Sequence, residues 1–489
     1  MTLEEARVYA KDYKVVPVSE EILSDVKTPM EVLRILKKVS SHCFMLESAE
    51  NQERWGRYTF IGFDPVMEIT CTDGRMTIRQ EKAGQEQTET REVSHPGEIL
   101  RKLLCEYKSP KIEGLPSFTG GLVGYFSYDY VKYSEPTLNL DAADEEGFRD
   151  VDLMLFDKVI AFDNVRQKII VIVNAKTEHL EESYEKAVAE IKKMISLIKT
   201  GEPMPIVPGK IKSGFRSLFG EAEYCSMIEK AKRYIYEGDI FQVVLSNRLD
   251  ADYEGGLLNA YRVLRTTNPS PYMFYFSSDD LEVAGASPET LVKLEGDTLH
   301  TFPLAGTRPR GKTFEEDIRL EKELLADEKE LAEHNMLVDL GRNDLGKISR
   351  FGSVEVEKYL SIQRFSHVMH IGSTVKGTIR EDKDGLDAVD AVLPAGTLSG
   401  APKIRAIEII NELENNKRGI YGGAIGYLDF TGNLDTCIAI RIVFKKNGKV
   451  FVRSGAGIVA DSVPKNEYQE CINKAKAVMQ ALEMGEEEM

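Results

Sequence analysis

Residues 424–455 read AIGYLDF, TGN, LDTCIAIRIVFKK, NG and KVFVRSG in succession, and they give the strongest indication of the fold class. The β-branched and aromatic runs of this stretch are separated by two short turns, at residues 431–433 and 447–448. Because short turns join antiparallel neighbours, whereas parallel strands need long crossovers, the stretch predicts a hairpin meander. In this prediction LDTCIAIRIVFKK lies on one central strand that carries Arg441.

Helices are predicted to accompany this meander. Apolar residues recur at helical spacing over residues 181–199, 314–341, 403–415 and 467–484. Long helices combined with consecutive antiparallel strands indicate the α+β class with large antiparallel sheets.

The run EPMPIVPGKIKS at residues 202–213 contains three prolines and predicts a boundary in the chain. It separates an N-terminal part, residues 1–207, from a C-terminal part, residues 214–489. Charge-rich stretches at residues 81–92 and 141–150 predict surface loops in the N-terminal part.

Composition narrows the class of protein. The chain has 489 residues, 42% of them hydrophobic, and a net charge of −17, which disfavours binding to nucleic acid or to an anionic membrane. No signal-peptide core is seen at its start, and no run approaches the length of about 18 apolar residues typical of membrane spans. Its six cysteines lack CxxC spacing, so reduced thiols in a cytoplasmic protein are expected.

The loop PLAGTRPRG at residues 303–311 combines two prolines, two glycines and two arginines with Thr307. Such a segment is not expected to continue a helix or a central strand. Its glycines allow backbone N–H groups to approach an anion, and its arginines supply forked donors for carboxylates. A tight surface turn with solvated arginines is the alternative.

Two predicted helices each carry a pair of glutamates three residues apart, Glu330 with Glu333 and Glu467 with Glu470. This spacing puts both members of a pair on one helical face. Four carboxylates that meet in a cleft suit Mg²⁺, which prefers oxygen ligands and keeps several waters. The alternative is that both pairs lie on solvated helix surfaces. A di-iron bundle is disfavoured, because His334 follows Glu330 by four residues and not three.

Three further segments offer groups for an anionic ligand. RSGAG at residues 453–457 is expected to end a strand with N–H groups aimed at a carboxylate, or to form a β-bulge. GTLSGAPKIRAIEII at residues 396–410 predicts a loop that feeds a helix, with Ser399 as a candidate cap. Arg441 among apolar neighbours needs a partner, such as a substrate carboxylate. His370 suits acid–base chemistry near neutral pH, or else is a hydrogen-bonded core residue.

Taken together, these segments resemble the chorismate-utilising enzymes. The motifs occur in order over residues 241–481, and they are PLAGTRPRG, KELAEHNMLVDLGRNDLGKIS, HVMHIGS, GTLSGAPK, YGGAIGYLD, LDTCIAIR, SGAGIVADS and NEYQECINKAKA. The resemblance implies that family's fold, with large, sandwich-like antiparallel sheets flanked by helices. In the N-terminal part, MLESAENQERWGRYTFIGFDP is similar to the tryptophan-binding segment of the anthranilate-forming members.

Two positions distinguish the branches of this family. Members that form isochorismate or salicylate carry a lysine in the FQVVLS segment as base for an attacking water, where this chain has Gln242. Members that form aminodeoxychorismate carry a nucleophilic lysine directly before the Gly-Thr pair, where this chain has Ala305. Without either lysine, the resemblance implies ammonia as nucleophile and anthranilate and pyruvate as products.

The resemblance also implies a metal site and a chorismate site. Glu333 and Glu470 are expected to hold Mg²⁺ on the ring carboxylate, with Glu330 and Glu467 in or near the outer shell. The residues expected to bind chorismate are Gly306, Thr307, Tyr421, Arg441, Gly455, Ala456, Gly457 and Lys474.

Catalytic roles follow from the same resemblance. Glu289 is the expected general acid, which protonates the departing C4 hydroxyl as ammonia adds at C2. His370 and Thr397 are expected to serve the loss of the enolpyruvyl group as pyruvate, and Gln242 is included in the catalytic set.

A regulatory site is implied as well. Ser48 and the run Pro271, Tyr272 and Met273 match residues that bind tryptophan as a feedback inhibitor. They come from opposite sides of the predicted boundary, so a ligand that bridges them is expected to bias the arrangement of the two parts. For PYMFYF alone, a buried aromatic strand is the alternative.

No cysteine lies in the glycine elbow that a glutaminase needs, so the resemblance implies a separate glutamine amidotransferase subunit that supplies ammonia. Two copies of each subunit are expected to form a heterotetramer. Two alternatives stay open: an enzyme on the same fold that stops at aminodeoxyisochorismate, and a non-catalytic subunit that senses tryptophan.

Overall fold

The computed structural model describes residues 1–49, 56–82, 85–364 and 368–487, and in these ranges it has 25 strands in two antiparallel sheets and twelve α-helices. The predicted α+β class with large antiparallel sheets is therefore confirmed. Within the same ranges, no helix is both long and apolar enough to cross a membrane.

The first sheet has thirteen strands. In spatial order they are β1 (Val15–Leu23), β10 (Lys168–Lys176), β9 (Lys158–Asp163), β3 (Tyr58–Phe63), β2 (Cys43–Glu47), β14 (Tyr272–Ser277), β15 (Glu282–Ser287), β24 (Ile442–Lys446), β25 (Lys449–Ile458), β13 (Gln242–Glu254) and β11 (Lys210–Ile211), with β12 (Arg216–Ser217) and β21 (Gly400–Ala401) also paired to β13.

The second sheet has twelve strands. In spatial order they are β18 (Leu304–Pro309), β20 (Val368–Thr378), β17 (Thr298–Thr301), β16 (Thr290–Glu295), β23 (Leu434–Ile438), β22 (Ala424–Asp429), β7 (Gly121–Phe126), β8 (Val151–Phe156), β4 (Met67–Thr72), β5 (Arg75–Lys82) and β6 (Gln85–Glu92), with β19 (Glu355–Arg364) also paired to β20.

The helices cover the outer faces and ends of the sheets. They are α1 (Leu3–Tyr9), α2 (Pro29–Leu36), α3 (Gly97–Glu106), α4 (Val131–Ser134), α5 (Leu180–Thr200), α6 (Glu221–Tyr236), α7 (Leu258–Thr267), α8 (Phe314–Leu325), α9 (Glu328–Gly346), α10 (Gly385–Val392), α11 (Lys403–Glu414) and α12 (Pro464–Met484).

The two sheets pack face to face around an aromatic core, which confirms the sandwich-like arrangement. Phe44 of the first sheet and Phe156 of the second lie edge to face, with ring centroids 4.7 Å apart. Phe274 and Phe444 from the first sheet and Ile425 from the second belong to the same buried cluster. Burial of such side chains stabilises each by roughly 1.5–3 kcal/mol relative to exposure, so the interior between the sheets contributes to the stability of the fold.

Strands from both sides of the predicted boundary share both sheets. In the first sheet β2 pairs with β14, and in the second sheet β7 pairs with β22. The division of the chain into two parts at residues 207–214 stays a prediction. In the structure, strands from the two parts pair with each other in both sheets.

The predicted single strand LDTCIAIRIVFKK is wrong. β23 ends at Ile438 in the second sheet, and β24 begins at Ile442 in the first sheet. Between them Arg441 adopts a left-handed backbone conformation with φ of 54°. The chain therefore crosses from one sheet to the other at this point, although no glycine or proline marks it.

Three other local predictions need correction. The helix predicted over residues 314–341 is two helices, because the Asp327 side chain accepts hydrogen bonds from the N–H groups of Lys329 and Glu330 and starts α9. Most of the stretch at residues 81–92 is strand β6 at the sheet edge, and residues 83–84 lie outside the described ranges. Ser399 does not cap α11, because its hydroxyl donates to the Ala395 carbonyl.

Candidate active site

Glu289 lies in the short connection between β15 and β16, and it meets Thr397 from a 3-10 turn at Gly396–Leu398. The Thr397 hydroxyl donates a hydrogen bond of 3.0 Å to the Glu289 carboxylate. Burial raises the pKa of the Glu289 carboxyl, and the hydrogen bond from Thr397 and the charges of Arg441 and Lys474 partly oppose this shift. A carboxyl with a raised pKa holds its proton to higher pH and can act as a general acid.

His370 on β20 faces the bulged segment of β18. Its Nδ1 lies 2.8 Å from the Gly306 carbonyl oxygen and 3.1 Å from the Thr307 hydroxyl. A carbonyl only accepts, so Nδ1 is assigned the proton and Nε2 the lone pair. Burial lowers the pKa of His370, which keeps the ring neutral near pH 7 and able to accept a proton at Nε2.

The predicted glutamate pairs lie on α9 and α12, and their charges interact. Burial raises the pKa of Glu333, and the charges of Glu330 and Glu470 raise it further. Burial also raises the pKa of Glu467, with an added contribution from Glu470. Glu330, Glu333 and Glu467 are thus partly buried near like charges, whereas Glu470 is exposed.

The fit of these glutamates to a divalent cation rests on that repulsion and on an oxygen-only donor set. Among the described residues, His42, Glu68 and Asp279 form the group of three whose potential ligand atoms all lie within 4.8 Å of one another, and the four glutamates do not close to that distance. The structure thus brings the acidic faces near each other without a tight ligand cage. This suits Mg²⁺, which takes one or two carboxylates together with waters and substrate oxygens.

Lys474 connects α12 to β25. Its Nζ lies 2.7 Å from the Glu470 carboxylate and donates to the Gly455 carbonyl at 3.1 Å. Arg441, Glu470 and Lys474 together line a cavity of about 510 Å³. Arg441 is half-buried at the crossing between the sheets. The prediction that it lies on a central strand is therefore wrong.

RSGAG lies at the end of β25, which stops at Ile458, so the predicted strand end is confirmed. Gly455, Ala456 and Gly457 pair with β13 in an unbroken register, so the alternative of a β-bulge is wrong. Because N–H and C=O of one strand residue point to the same edge, the bond from Lys474 to the Gly455 carbonyl indicates that the Gly455 N–H faces away from β13. Gly457, two residues on, has the same orientation.

A side chain at Gly455 would meet backbone, whereas one at Gly457 would meet only the end of a flexible side chain. A Cβ on Gly455 would lie 2.6 Å from the Leu245 carbonyl oxygen and 3.1 Å from the Tyr421 hydroxyl. A Cβ on Gly457 would lie 2.9 Å from Nε2 of Gln242. Tyr421 and Gln242 are both buried, so the structure brings these predicted residues together at the glycine pair.

The two arginines of the PLAGTRPRG segment bind protein carboxylates. Arg308 pairs with Asp327 at 2.7 Å and with Glu330 at 3.4 Å, and Arg310 pairs with Asp317 at 2.9 Å. The prediction that they supply donors to an anionic ligand is not supported by these contacts. The segment forms β18, an edge strand with an irregular register between Ala305 and Arg308.

A second and larger cavity, of about 1140 Å³, lies between the sheets, away from the glutamates. Ser48, Pro271, Tyr272 and Met273 all line it, because β2 pairs with β14 and the Ala49 N–H donates to the Ser270 carbonyl at 3.0 Å. Of the remaining N-terminal motif, residues 50–55 lie outside the described ranges, as does His367 of HVMHIGS. The alternative of a buried aromatic strand is also correct for β14 itself.

One group under this site was not predicted. Glu414, Arg418 and Arg453 form a fully buried ion cluster behind β13 and β25. The sequence did hold an indication of this cluster. Arg418 lies in the glycine-rich segment NKRGIYGG and Arg453 in the apolar segment KVFVRSG, where an arginine needs a partner.

Comparison with known proteins gives a consistent result. The family model for chorismate binding enzymes matches residues 41–480. The chain is 46% identical over 490 residues to anthranilate synthase component 1 of Acetivibrio thermocellus, covering 99% of this chain and 98% of that protein. It is also 46% identical over 498 residues to the protein of the same name from Aquifex aeolicus (strain VF5), covering 100% and 98%.

A solved structure supports the same assignment. The crystal structure of anthranilate synthase component I from Streptococcus pneumoniae TIGR4 superposes with a TM-score of 0.73 at 37% identity. The match covers 94% of this chain and 99% of that one.

Proposed function

The chain belongs to the chorismate-binding enzyme family, in the group of anthranilate synthase component 1, and we propose that it converts chorismate and ammonia to anthranilate, pyruvate and water. It is an enzyme of the lyase class. The observation that carries the proposed reaction is Glu289, a carboxyl with a raised pKa that is held by Thr397 and faces Arg441 and Lys474.

Ammonia is proposed as the nucleophile because two positions that carry a lysine in other branches of the family have no amine in this chain. Gln242 is buried beside Gly457 and cannot deprotonate a water, because an amide has no basic nitrogen. Ala305 on β18 offers no nucleophile. Ammonia therefore adds to the ring without competition from a side chain at either place.

In the first step Glu289 gives its proton to the C4 hydroxyl oxygen and the C4–O bond breaks to release water, while ammonia forms a bond to C2, the ring double bonds shift, and the new ammonium group loses one proton. Thr397 keeps the Glu289 carboxylate aimed at the ring through the 3.0 Å hydrogen bond. In the second step the Nε2 lone pair of His370 takes the proton from C2 and the C3–O bond breaks as the ring becomes aromatic. The released enolate takes that proton from His370 at its methylene carbon and becomes pyruvate. General acid and base groups of this kind contribute roughly 10²- to 10⁴-fold each.

Binding of the ring is assigned to the strand and loop backbone together with Arg441. The N–H groups of Gly455 and Gly457 point toward the space beside α12, and Arg441 and Lys474 add positive charge there. Tyr421, whose hydroxyl lies next to Gly455, and Gly306 and Thr307, which contact His370, are assigned to the same site. Fixed donors and charges of this kind stabilise developing charge without reorganisation.

The metal proposed for this site is Mg²⁺, held by Glu333 and Glu470 with Glu330 and Glu467 close by. Bound there, it neutralises the ring carboxylate of chorismate and fixes the position of the ring. Lys474 balances part of the acidic charge at Glu470.

Feedback inhibition by tryptophan is proposed for the cavity that contains Ser48, Pro271, Tyr272 and Met273. Its walls include strands of both sheets, so an occupied cavity changes the contacts between them. Such a difference in contacts between two arrangements is what a coupling between sites requires.

Ammonia is proposed to come from a separate glutamine amidotransferase subunit, in a heterotetramer with two copies of each. The support is the word component in the relatives' names and the lack of a glutaminase elbow at the six cysteines. The chain alone should then use ammonium salts at high pH and should fail with glutamine.

Product analysis tests the proposal. The purified chain is incubated with chorismate, Mg²⁺ and ammonium, and the products are separated by chromatography. Equal amounts of anthranilate and pyruvate are expected. Aminodeoxyisochorismate without pyruvate would instead identify the enzyme that stops at the intermediate, and tryptophan binding without turnover would identify a sensor.

A further inference from the structure

The buried ion cluster of Glu414, Arg418 and Arg453 lies directly behind the proposed site. The Arg418–Glu414 pair is 2.6 Å apart and the Arg453–Glu414 pair is 2.8 Å apart, and each of these side chains is only 1% exposed. Glu414 also accepts hydrogen bonds from the N–H and the hydroxyl of Ser246 on β13. One carboxylate thus holds two guanidinium groups in the interior.

Arg418 uses its remaining donors on the backbone of the site. Its Nη1 donates to the Leu398 carbonyl at 2.6 Å, and its Nη2 donates to the Val244 carbonyl at 2.7 Å. Leu398 is the residue after Thr397, in the same 3-10 turn. The guanidinium carbon of Arg418 also lies 4.5 Å from the ring centroid of Tyr128 and 5.9 Å from the ring centroid of Tyr421.

Stability alone does not explain such a cluster. Burying charged groups carries a large desolvation cost, and well-packed apolar residues of similar volume are often as stabilising. The planar guanidinium does supply several donors in fixed directions, which neither an apolar side chain nor lysine provides. The guanidinium of Arg418 donates hydrogen bonds to the 3-10 turn, to β13 and to Glu414, and thereby fixes the three relative to one another.

We propose that Arg418 is a positioning residue of the reaction, which holds the Leu398 carbonyl so that Thr397 stays aligned with Glu289. This inference rests on the proposed function of the Thr397–Glu289 pair. Arg418 is linked to Thr397 and Glu289 through the Leu398 carbonyl of that turn. Glu414 orients Arg418, and Arg453, which donates to the hydroxyl of Ser246 at 2.8 Å, fixes the other side of the carboxylate.

Arg418→Lys tests this role, because lysine keeps the positive charge and cannot reach three acceptors in fixed directions. A displacement of the turn is expected to lower kcat by about 100-fold, since misplacement by 1 Å from a remote change can have such an effect. The KM for chorismate should change less than kcat, because the turn carries no proposed ring-binding group and Tyr421 lies 5.9 Å from the guanidinium carbon. Arg149→Lys is the control: Arg149 is a partly buried arginine that pairs with Asp152 and Asp280, and its change should leave kcat unaltered.

A double-mutant cycle with Thr397→Val separates positioning from a structural effect. If Arg418 acts through Thr397, Arg418→Lys should lower kcat by no more than about two-fold in the Thr397→Val background. Independent, multiplicative effects of the two changes would overturn the proposal, as would an unaltered kcat in Arg418→Lys. If the lysine variant is not recovered folded, Glu414→Gln is measured in the same cycle and judged by the same two criteria.

The wild-type chain in the same assay keeps the two proposals distinguishable. Without turnover of chorismate and ammonium by the wild type, the proposed function itself fails. If the wild type turns over normally and the effects of the two changes on kcat multiply, only the proposed role of Arg418 is wrong.

Discussion

Glu289 and Arg441 occupy neighbouring places where the chain crosses from one sheet to the other. Glu289 joins β15 of the first sheet to β16 of the second, and Arg441 joins β23 of the second sheet to β24 of the first. The crossings are hydrogen-bonded to each other's strands, since the Ile438 N–H donates to the Glu289 carbonyl at 2.9 Å and the Ala286 N–H donates to the Arg441 carbonyl at 3.2 Å. The proposed acid and a ring-binding cation are thus fixed by the same feature of the fold.

The first prediction concerns Glu289. Glu289→Gln should lower kcat by about 10²- to 10⁴-fold, because the amide cannot donate the proton that the leaving hydroxyl needs. In the wild type kcat/KM, measured at a constant concentration of free ammonia, should fall as pH rises through the raised pKa of Glu289, since only the protonated form acts as acid. Glu412→Gln, an exposed glutamate on α11, is the control. A Gln variant that keeps this fall in its pH profile would exclude Glu289 as the acid.

The second prediction concerns the metal. Glu470→Gln should raise the Mg²⁺ concentration for half-maximal activity at least about ten-fold, which corresponds to roughly 1.4 kcal/mol of lost binding. Titration of activity with Mg²⁺ measures it, and Glu483→Gln on the same helix controls for the loss of an exposed glutamate. The role of Glu470 is contradicted by a variant with wild-type activity and the same Mg²⁺ dependence.

The third prediction concerns Ala305 on β18, where other branches of the family carry a lysine. Ala305→Lys places a primary amine where only 9% of the native residue is exposed, and burial keeps an amine neutral and nucleophilic. Anthranilate formation should fall at least about 100-fold, and intact-mass spectrometry after incubation with chorismate should show a ring-derived adduct. Ala305→Met has similar length without the amine and should form no adduct. Identical mass spectra of the two variants would contradict the assigned place of this residue beside the ring.

The fourth prediction concerns tryptophan. Ser48→Phe fills part of the cavity between the sheets, so the tryptophan concentration for half-maximal inhibition should rise at least about ten-fold, with kcat in its absence unaltered within about two-fold. The same change at Ser196, on the exposed face of α5, should leave inhibition as in the wild type. Full tryptophan sensitivity in Ser48→Phe would move the inhibitor site elsewhere.

Local patterns in the sequence were sufficient for several elements. The turn at residues 431–433 gave the β22–β23 hairpin, and the helices at residues 181–199, 403–415 and 467–484 are present within a few residues as α5, α11 and α12. The start of α9 was also encoded: Asp327 followed by Glu330 is a typical helix N-terminus, and reading it would have divided the longer predicted helix.

Other features depend on long-range pairing that periodicity does not report. CIAIRIVF is apolar on both sides of Arg441, yet the strand breaks there, because the two ends of the run pair with strands of different sheets. The cluster of Glu414, Arg418 and Arg453 likewise joins residues that are up to 39 positions apart. For the candidate site, the residue types and spacing indicated acidic faces and glycine strands, but the Thr397–Glu289 contact spans 108 positions and needed the fold.

A crystal structure of the chain with Mg²⁺ and chorismate, or with an unreactive ring analogue, shows whether the two glutamate faces hold a metal and the ring together. We expect one cation between Glu333 and Glu470, with the ring carboxylate on it and beside the N–H groups of Gly455 and Gly457, and Glu289 facing the C4 hydroxyl. A ligand bound elsewhere, with both glutamate faces turned to bulk solvent, would contradict it.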